Sequence, residues 1–290
     1  MSAADPCFLG VDLGGTQMKM AAVTVHGRLA TEVLLAPTGP TFGPVDLRRE
    51  LCVLAERVRS SLDGRPIAAL GFGTPGVVGE DALSQCDNLP LLNGSDLVEL
   101  VRGVAGCPVA LENDARCFTL AEARYGAGRG ATDVCGITLG TGVGCGVMIG
   151  GRLHRGAGGQ AGEVWRIPVR GHDLEYFLSG AGIVRGYEAL GQSPPGVEAK
   201  ALEERARGGD EAALAAWRAF GEDLAFLCAS VIALVDPEII VIGGSLARAA
   251  DLYEPVLSAR LHAYPVRLAT SELGRAAGVI GAAALNMATS

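Results

Sequence analysis

The sequence predicts an α/β fold built as two similar halves. Three observations carry that expectation. Short apolar runs ending in glycine-rich turns alternate with longer segments of helical period. The opening pattern GVDLGGTQMKMAAVTVHGRL returns about 125 residues later as GITLGTGVGCGVMIGGRL. Glycine, 42 of 290 residues, is about twice the usual ~7% and bunches in loops rather than spreading as a linker. Repetition on this scale implies two α/β halves, each opening with a Gly-turned hairpin. Two halves also make an interdomain cleft, where small-molecule sites are common.

The elements follow in order. Residues 7–11 read as a strand, meeting DLGGT at Asp12 to Thr16, and KMAAVTV as a second strand closed by GRL. Residues 46–62 carry Leu47, Leu51, Leu54, Ala55, Val58 and Leu62 at helical spacing. A strand at 67–72 runs into GTPG, and a polar, Pro-containing loop occupies 83–94. A helix is expected over about 95–104, with Ser95 and Asp96 suiting its N-terminus. The strand 108–111 ends at Glu112-Asn113-Asp114, and a helix over about 114–125 follows. After the second Gly-turned hairpin the pattern becomes mostly helical, at about 173–190, 211–234, 246–263 and 275–288. One strand interrupts it at 238–242, ending in Gly243-Gly244.

Lys and Arg number 24 against 32 Asp and Glu, a net charge of −8. That balance argues against a nucleic-acid or anionic-membrane surface, both of which need clustered Lys and Arg. The longest apolar stretch, Leu224 to Val235, stops at Asp236 after 12 residues, short of the ~18 a membrane helix needs. The N-terminus shows no basic n-region and no signal-type core, so a cytoplasmic protein is expected. The eight cysteines form no CxxC and no metal-ligand cluster, and read as reduced, buried small hydrophobes. Lysine occurs only at 19 and 200, against 22 arginines, which singles out Lys19.

DLGGT is the sharpest local signal. A tight turn exposes consecutive backbone N–H groups to phosphate oxygens. Gly14 and Gly15 remove blocking Cβ atoms, Thr16 adds a hydroxyl, and Asp12 can hold Mg²⁺ directly or through water. Lys19 lies three residues beyond Thr16. LGTGVG, with Gly140, Thr141 and Gly142, is a second turn of the same kind, and the pairing suggests a phosphate chain. No GxxxxGK[ST] occurs. The GxGxxG at Gly71, Gly73 and Gly76 lacks the helix and acidic residue of a dinucleotide site, and reads better as a loop approaching a ligand. Asp114 is either a helix N-cap or a general base that orients a hydroxyl and accepts its proton. Glu163 and Glu175 are surface acids or carboxylates that read sugar hydroxyls. His154 and His172 read as structural.

These motifs, in this order and over nearly the whole chain, resemble the ROK family of repressors, open reading frames and sugar kinases: DLGGT, GTPG, Asn88-Leu89 … Gly94, ENDA at 112–115, LGTGVG with GE at 162–163, and DPEIIVIGG at 236–244. The resemblance implies the two-domain, actin-like (ribonuclease H-like) ATPase fold. A smaller domain would take 1–113 with about 275–290, and a larger one 114–274. It implies Asp114 as catalytic base, and Gly76, Asn88, Asn113, Glu163 and Glu175 at the sugar. It also places the nucleotide phosphates on the two Gly turns and the nucleoside near Gly243-Gly244.

Two departures accompany the resemblance. Arg166 stands where many members carry a His that serves zinc and sugar. The cysteine-rich segment that completes their zinc site is shortened here to PVRGHDLEYFLSG, so no zinc is expected. Arg166 either reads the sugar, with five rigid donors in place of an imidazole, or points outward in an ion pair. The expected activity is transfer of the ATP γ-phosphoryl group, with Mg²⁺, to a hexose (glucokinase-like). Alternatives are an N-acetylhexosamine kinase, a fructokinase, a polyphosphate-dependent kinase and a silent sugar-binding regulator. A repressor is disfavoured, because only about six residues precede the first strand. A homodimer is expected from the resemblance alone.

Overall fold

A computed structural model describes residues 5–78, 83–86, 88–191 and 196–287. They fall into two compact units. The first takes residues up to Gly130 with 153–161 and 272 onward; the second takes 131–152 and 162–271.

The first unit opens with β1 (Cys7–Leu13), β2 (Gln17–Thr24) and β3 (Leu34–Pro37), followed by α1 (Pro44–Ser60) and β4 (Ile67–Thr74). The short strands β5 (Val77–Val78) and β6 (Leu83–Gln85) pair antiparallel. Then come α2 (Leu97–Ala105), β7 (Val109–Asn113) and α3 (Asp114–Tyr125). The sheet order is β3-β2-β1-β4-β7. β1 pairs antiparallel with β2 and parallel with β4, and β4 pairs parallel with β7. Apart from Asp12 near its end, β1 is apolar because both faces are covered: Leu9, Val11 and Leu13 are fully buried, each contributing about 1.5–3 kcal/mol of transfer free energy. Asp96 caps α2 by accepting the Glu99 N–H at 2.8 Å.

The second unit repeats this plan. β8 (Val134–Leu139), β9 (Val143–Ile149) and β10 (Arg152–Leu153) precede the short hairpin of β11 (Pro168–Val169) and β12 (His172–Asp173). Then come α4 (Gly180–Glu188), α5 (Ala199–Arg207), α6 (Glu211–Val235), β13 (Ile239–Gly243), α7 (Ala250–Leu261) and β14 (Arg267–Thr270). The order β10-β9-β8-β13-β14 puts an antiparallel hairpin beside two parallel strands, as in the first unit. Trp217 is the largest side chain fully buried here, with Phe220 edge-on at 5.6 Å.

The last helix, α8 (Ala277–Ala284, AGVIGAAA), returns to the first unit. Its small side chains let it lie directly on the sheet. A Cβ at Gly10 would collide with the Val279 carbonyl, and one at Gly71 with the Ala282 carbonyl; one at Gly281 would collide with the carbonyl of Cys117 on α3. The GxGxxG reading is corrected accordingly. Gly71 and Gly73 lie inside β4, where Gly71 admits α8 and Gly73 faces the Cys117 sulfur. Gly76 alone of the three lies in a turn, at φ +90°.

Other expectations shift for identifiable reasons. Helix α3 lies in the first unit, which therefore reaches Gly130 rather than ending at 113. The helix expected over 173–190 is a 3₁₀ turn (Leu174–Tyr176) followed by α4, because the Ser179 hydroxyl accepts the Gly182 N–H and caps a new start. The segments expected as helices over 246–263 and 275–288 likewise open with 3₁₀ turns before α7 and α8, and position 288 lies outside the described residues. β3, β14 and α5 carried no clear signal. β3 ends in Pro37, and β14 is a four-residue edge strand without alternation. Of the eight cysteines, all free, Cys52 is exposed and Cys107 half-buried, so the buried reading holds for the other six.

Glu122 joins the end of α3 to the entry of α8. It is fully buried, and its carboxylate accepts the N–H groups of Ala127, Glu272 and Leu273 at 2.9, 3.2 and 3.0 Å. Two variants and one control test these contacts by urea unfolding. Gly71→Ala is expected to lose about 1–3 kcal/mol or more, while Gly39→Ala, with nothing within 4 Å of the added Cβ, changes stability by less than about 0.5 kcal/mol. Glu122→Gln turns an N–H₂ toward backbone donors and is expected to lose about 2 kcal/mol.

Candidate active site

Each unit ends its first strand in a glycine turn. In the first, the Gly14 N–H closes on the Gln17 carbonyl at 2.9 Å, and the Thr38 hydroxyl donates to the Gly14 carbonyl at 2.6 Å. In the second, the Gly140 N–H closes on the Gly142 carbonyl at 2.9 Å, and the Gly180 N–H donates to the Gly140 carbonyl at 2.9 Å. Both turns are thus fixed by their neighbours. The N–H groups of Gly15, Thr16, Thr141 and Gly142 make no hydrogen bond to any described residue. That is the arrangement an oxyanion needs.

Around the first turn the structure gathers Asp12, Lys19 and Asn88. Lys19 Nζ lies 2.7 Å from Asp12 Oδ2, so it is an ion-pair partner rather than a solvated hairpin side chain. Asp12 also faces the start of α8, where a Cβ on Gly278 would lie 2.6 Å from its carboxylate. Asn88 sits over Gly15, whose missing Cβ would lie 2.8 Å from the Asn88 Cβ. Among the described residues no group of three or more His, Cys, Asp or Glu could hold a metal. Asp12 nevertheless suits Mg²⁺, which keeps most of its waters and takes one or two carboxylates alongside substrate phosphates.

Asn113 is the N-cap of α3: its Oδ1 accepts the N–H groups of Ala115 and Arg116 at 3.0 and 3.2 Å. The capping role considered for Asp114 therefore belongs to Asn113. Asn113 Nδ2 donates to the Gly76 carbonyl at 3.1 Å, which ties the GTPG turn to this helix start. Asp114 is the first residue of α3, half-buried, where the positive end of the helix dipole favours a carboxylate.

Beneath these residues lies a buried ionic cluster that the sequence reading missed. Glu112 and Arg116 are each 1% exposed and pair at 3.0 Å. Arg155 Nε reaches the other Glu112 oxygen at 2.6 Å. Arg116 also donates to the carbonyls of Gly159 and Ala161 at 2.5 and 3.0 Å, which holds the Gly-rich loop before Gly162. An i,i+4 Glu–Arg spacing across ENDAR was the available signal.

In the second unit Glu175 lies against the glycine turn. Its Oε2 accepts the Val143 N–H at 3.1 Å, and a Cβ on Gly142 would strike it. Gly244, at φ +87°, fits against the backbone of Leu139, and Gly243 pairs with Thr138, so the Gly243-Gly244 pair borders the same turn. Glu163 opens a 3₁₀ turn (Val164–Arg166), where its Oε2 accepts the Trp165 Nε1–H at 2.5 Å. Arg166 is exposed, with its guanidinium carbon 4.5 Å from the centroid of the Trp165 ring. The sequence marks Trp165 only by scarcity, Trp occurring twice in the chain.

The PVRGHDLEYF stretch holds together by stacking. His172 lies 3.9 Å from Tyr176 at 8°, and Arg185 covers the same Tyr176 ring at 3.9 Å. Arg170 pairs with the largely buried Asp223 at 2.6 Å. His154 and His172 are both exposed. Burial pushes the Cys228 thiol up to about 12 and Cys117 in the same direction, so these thiols are unsuited as nucleophiles at neutral pH.

Among the described residues no helix is long and apolar enough to cross a membrane. The chain is 30% identical over 309 residues to the glucokinase of Thermotoga maritima, covering 96% of each protein. It is 29% identical over 303 residues to an N-acetylgalactosamine kinase of Shewanella, again with 96% of each covered. It superposes on a ROK family glucokinase of Streptomyces griseus, solved with glucose and AMPPNP, at a TM-score of 0.83 and 27% identity, over 96% of this chain and 98% of that one. The fold is therefore the actin-like ATPase fold of the ROK sugar kinases. With the ROK family model matching residues 8–289, the chain belongs to the ROK family.

Proposed function

We propose that the chain is an ATP-dependent sugar kinase acting on a hexose or an N-acetylhexosamine, with Asp114 as general base. The observation that carries this reading is the pair of neighbour-fixed glycine turns whose amides at Gly15, Thr16, Thr141 and Gly142 have no partner among the described residues. Phosphoryl transfer needs positioning and charge stabilisation more than covalent chemistry, and backbone amides supply both.

In this reading Gly14, Gly15, Thr16, Gly140, Thr141 and Gly142 cradle the phosphates, Lys19 adds a positive charge, and Gly243-Gly244 border the nucleoside. Gly76, Asn88, Asn113, Glu163, Arg166 and Glu175 contact the sugar. Asp114 accepts the proton of the attacking hydroxyl. The sugar oxygen bonds to the γ-phosphorus as the bond to the ADP oxygen breaks. A carboxylate of ordinary basicity suffices, because in a loose transition state the proton leaves late. Asp12 is the residue that would hold Mg²⁺, directly or through water; bound there, the cation neutralises phosphate charge. The cytoplasm, where ATP is available, and a homodimer complete the proposal. The homodimer rests on the family resemblance alone, and light scattering tests it.

ADP release from Mg-ATP is measured across glucose, mannose, fructose, N-acetylglucosamine and N-acetylmannosamine. Asp114→Asn is expected to lower kcat by about 10²- to 10⁴-fold on the best sugar, with sugar affinity by calorimetry kept. Unchanged turnover removes Asp114 from the role of base. Silence of the unaltered protein across the panel, with sugar still bound, points to a regulator or another phosphoryl donor.

A further inference from the structure

Helix α7 and the edge strand β14 border a cavity of about 450 Å³ in the second unit, a size usual for small-molecule sites. Tyr253, Glu254, Leu257, Ser258, Leu261 and His262 line it from one face of α7, at the spacing that puts residues three and four apart side by side. Val266 and Leu268 add an apolar wall from the β14 side. None of the candidate active-site residues lines it.

One polar group there is buried and unpartnered. Tyr253 is 2% exposed, its ring packed near Trp217 and Phe220 at 6.4 and 5.7 Å. Its hydroxyl makes no hydrogen bond to any described residue. Nor is that hydroxyl sealed off, as the unpartnered Trp217 Nε1 is. It therefore opens on the cavity that Tyr253 lines. Burial and the nearby Glu254 carboxylate both push the phenol up from its ordinary range, so the group stays protonated and can both donate and accept.

The charge at the cavity has one sign. Glu254 is exposed and makes no ion pair or hydrogen bond with a described residue. No Lys or Arg lines the cavity. Arg260, further along the same helix, is held by Glu222 at 2.7 and 2.9 Å. Such a site repels anions, phosphates included, and favours a cation, which gains the carboxylate and the rings of Tyr253 and Tyr264.

We propose that this cavity is a binding site for a small organic amine, a ring or short apolar body carrying a protonated amino group. The body packs on Leu257, Leu261, Val266 and Leu268. The amino group pairs with Glu254 and donates to the Tyr253 hydroxyl oxygen. The site is additional to the one assigned to sugar and nucleotide, and it does not rest on the kinase reading.

Tyramine is the probe, beside its uncharged counterpart para-ethylphenol and its anionic counterpart phloretate. Calorimetry on the full chain, without ATP or sugar, is expected to give tyramine a Kd below about 1 mM. Binding of para-ethylphenol is expected to be about fivefold weaker, and phloretate is expected not to bind. Glu254→Gln is expected to weaken tyramine about fivefold and leave para-ethylphenol unchanged. Tyr253→Phe, which keeps the ring, is expected to weaken tyramine about threefold. Ser258→Trp, at an exposed helix position, puts an indole into the cavity and is expected to abolish binding of both. Tyr253 is also a core residue, so the exposed Glu254 and Ser258, with their urea midpoints in place, carry the test if Tyr253→Phe fails to fold.

Absence of tyramine binding overturns the proposal. So does binding that Glu254→Gln and Ser258→Trp leave unchanged, or phloretate bound as tightly as tyramine. Displacement of tyramine by Mg-ATP overturns it as well, because the cavity is then part of the nucleotide site. No turnover is read in these measurements, so a protein that phosphorylates no sugar leaves their outcome intact, and an active kinase that binds no amine fails this inference alone.

Discussion

The backbone of α8 occupies the space that side chains at Gly10 and Gly71 would fill. No residue but glycine leaves that space open, and no helix but a thin one enters it; AGVIGAAA is built almost wholly of Gly and Ala where it meets the sheet. The parts of the first unit that concern chemistry hang from this approach. Gly278 abuts the Asp12 carboxylate at the end of β1, and Gly281 abuts Cys117 on α3. The same helix thus sets where the first glycine turn ends and where α3, with Asp114 at its start, lies. Close packing without Cβ atoms is intolerant of added volume, so this arrangement is rigid where a phosphoryl-transfer site needs rigidity.

A second constraint is polar. Around the start and end of α3, three buried groups are hydrogen-bonded rather than stranded. Asn113 caps the helix and holds Gly76, Glu112 serves Arg116, Arg155 and the Asn113 N–H, and Glu122 gathers three amides. Buried polar groups are costly when unpaired and specifying when satisfied. Their joint effect is that Asp114 projects from a helix whose first turn is held on several sides by other residues. Asp12, held by Lys19 at 2.7 Å, is comparably fixed. The second unit uses stacking for a similar end: Arg185, Tyr176 and His172 form a layered cluster beside Glu175, in the segment that contains no cysteine.

The sequence was most legible where a local rule is strong. The repeated Gly-turned hairpins appear as β1–β2 and β8–β9, each in a sheet of the same order. The helix from Asp114 to Tyr125 has the predicted ends, because a cap and an apolar face act within a few residues. Legibility failed where distant chain decides. Gly71 and Gly73 looked like a ligand loop, since nothing in a glycine tells whether a ligand or a helix two hundred residues away approaches it. Glu112 passed as one letter of ENDA, although its partner Arg155 lies 43 residues further on. The helical spacing over 173–190 and 246–263 extends beyond α4 and α7, because 3₁₀ turns keep apolar residues at nearly helical spacing.

The sequence by itself determined the class of fold, the duplicated plan, the glycine turns and the family, all of which are written in short contiguous motifs whose physics is local. Tertiary structure decided the rest. It assigned the cap to Asn113 rather than Asp114, paired Lys19 with Asp12, seated Glu175 on the second turn, and joined Trp165 to both Glu163 and Arg166. Each of these depends on which oxygen or ring face a side chain meets after folding. A linear sequence holds the donors and acceptors but not the directions in which they point.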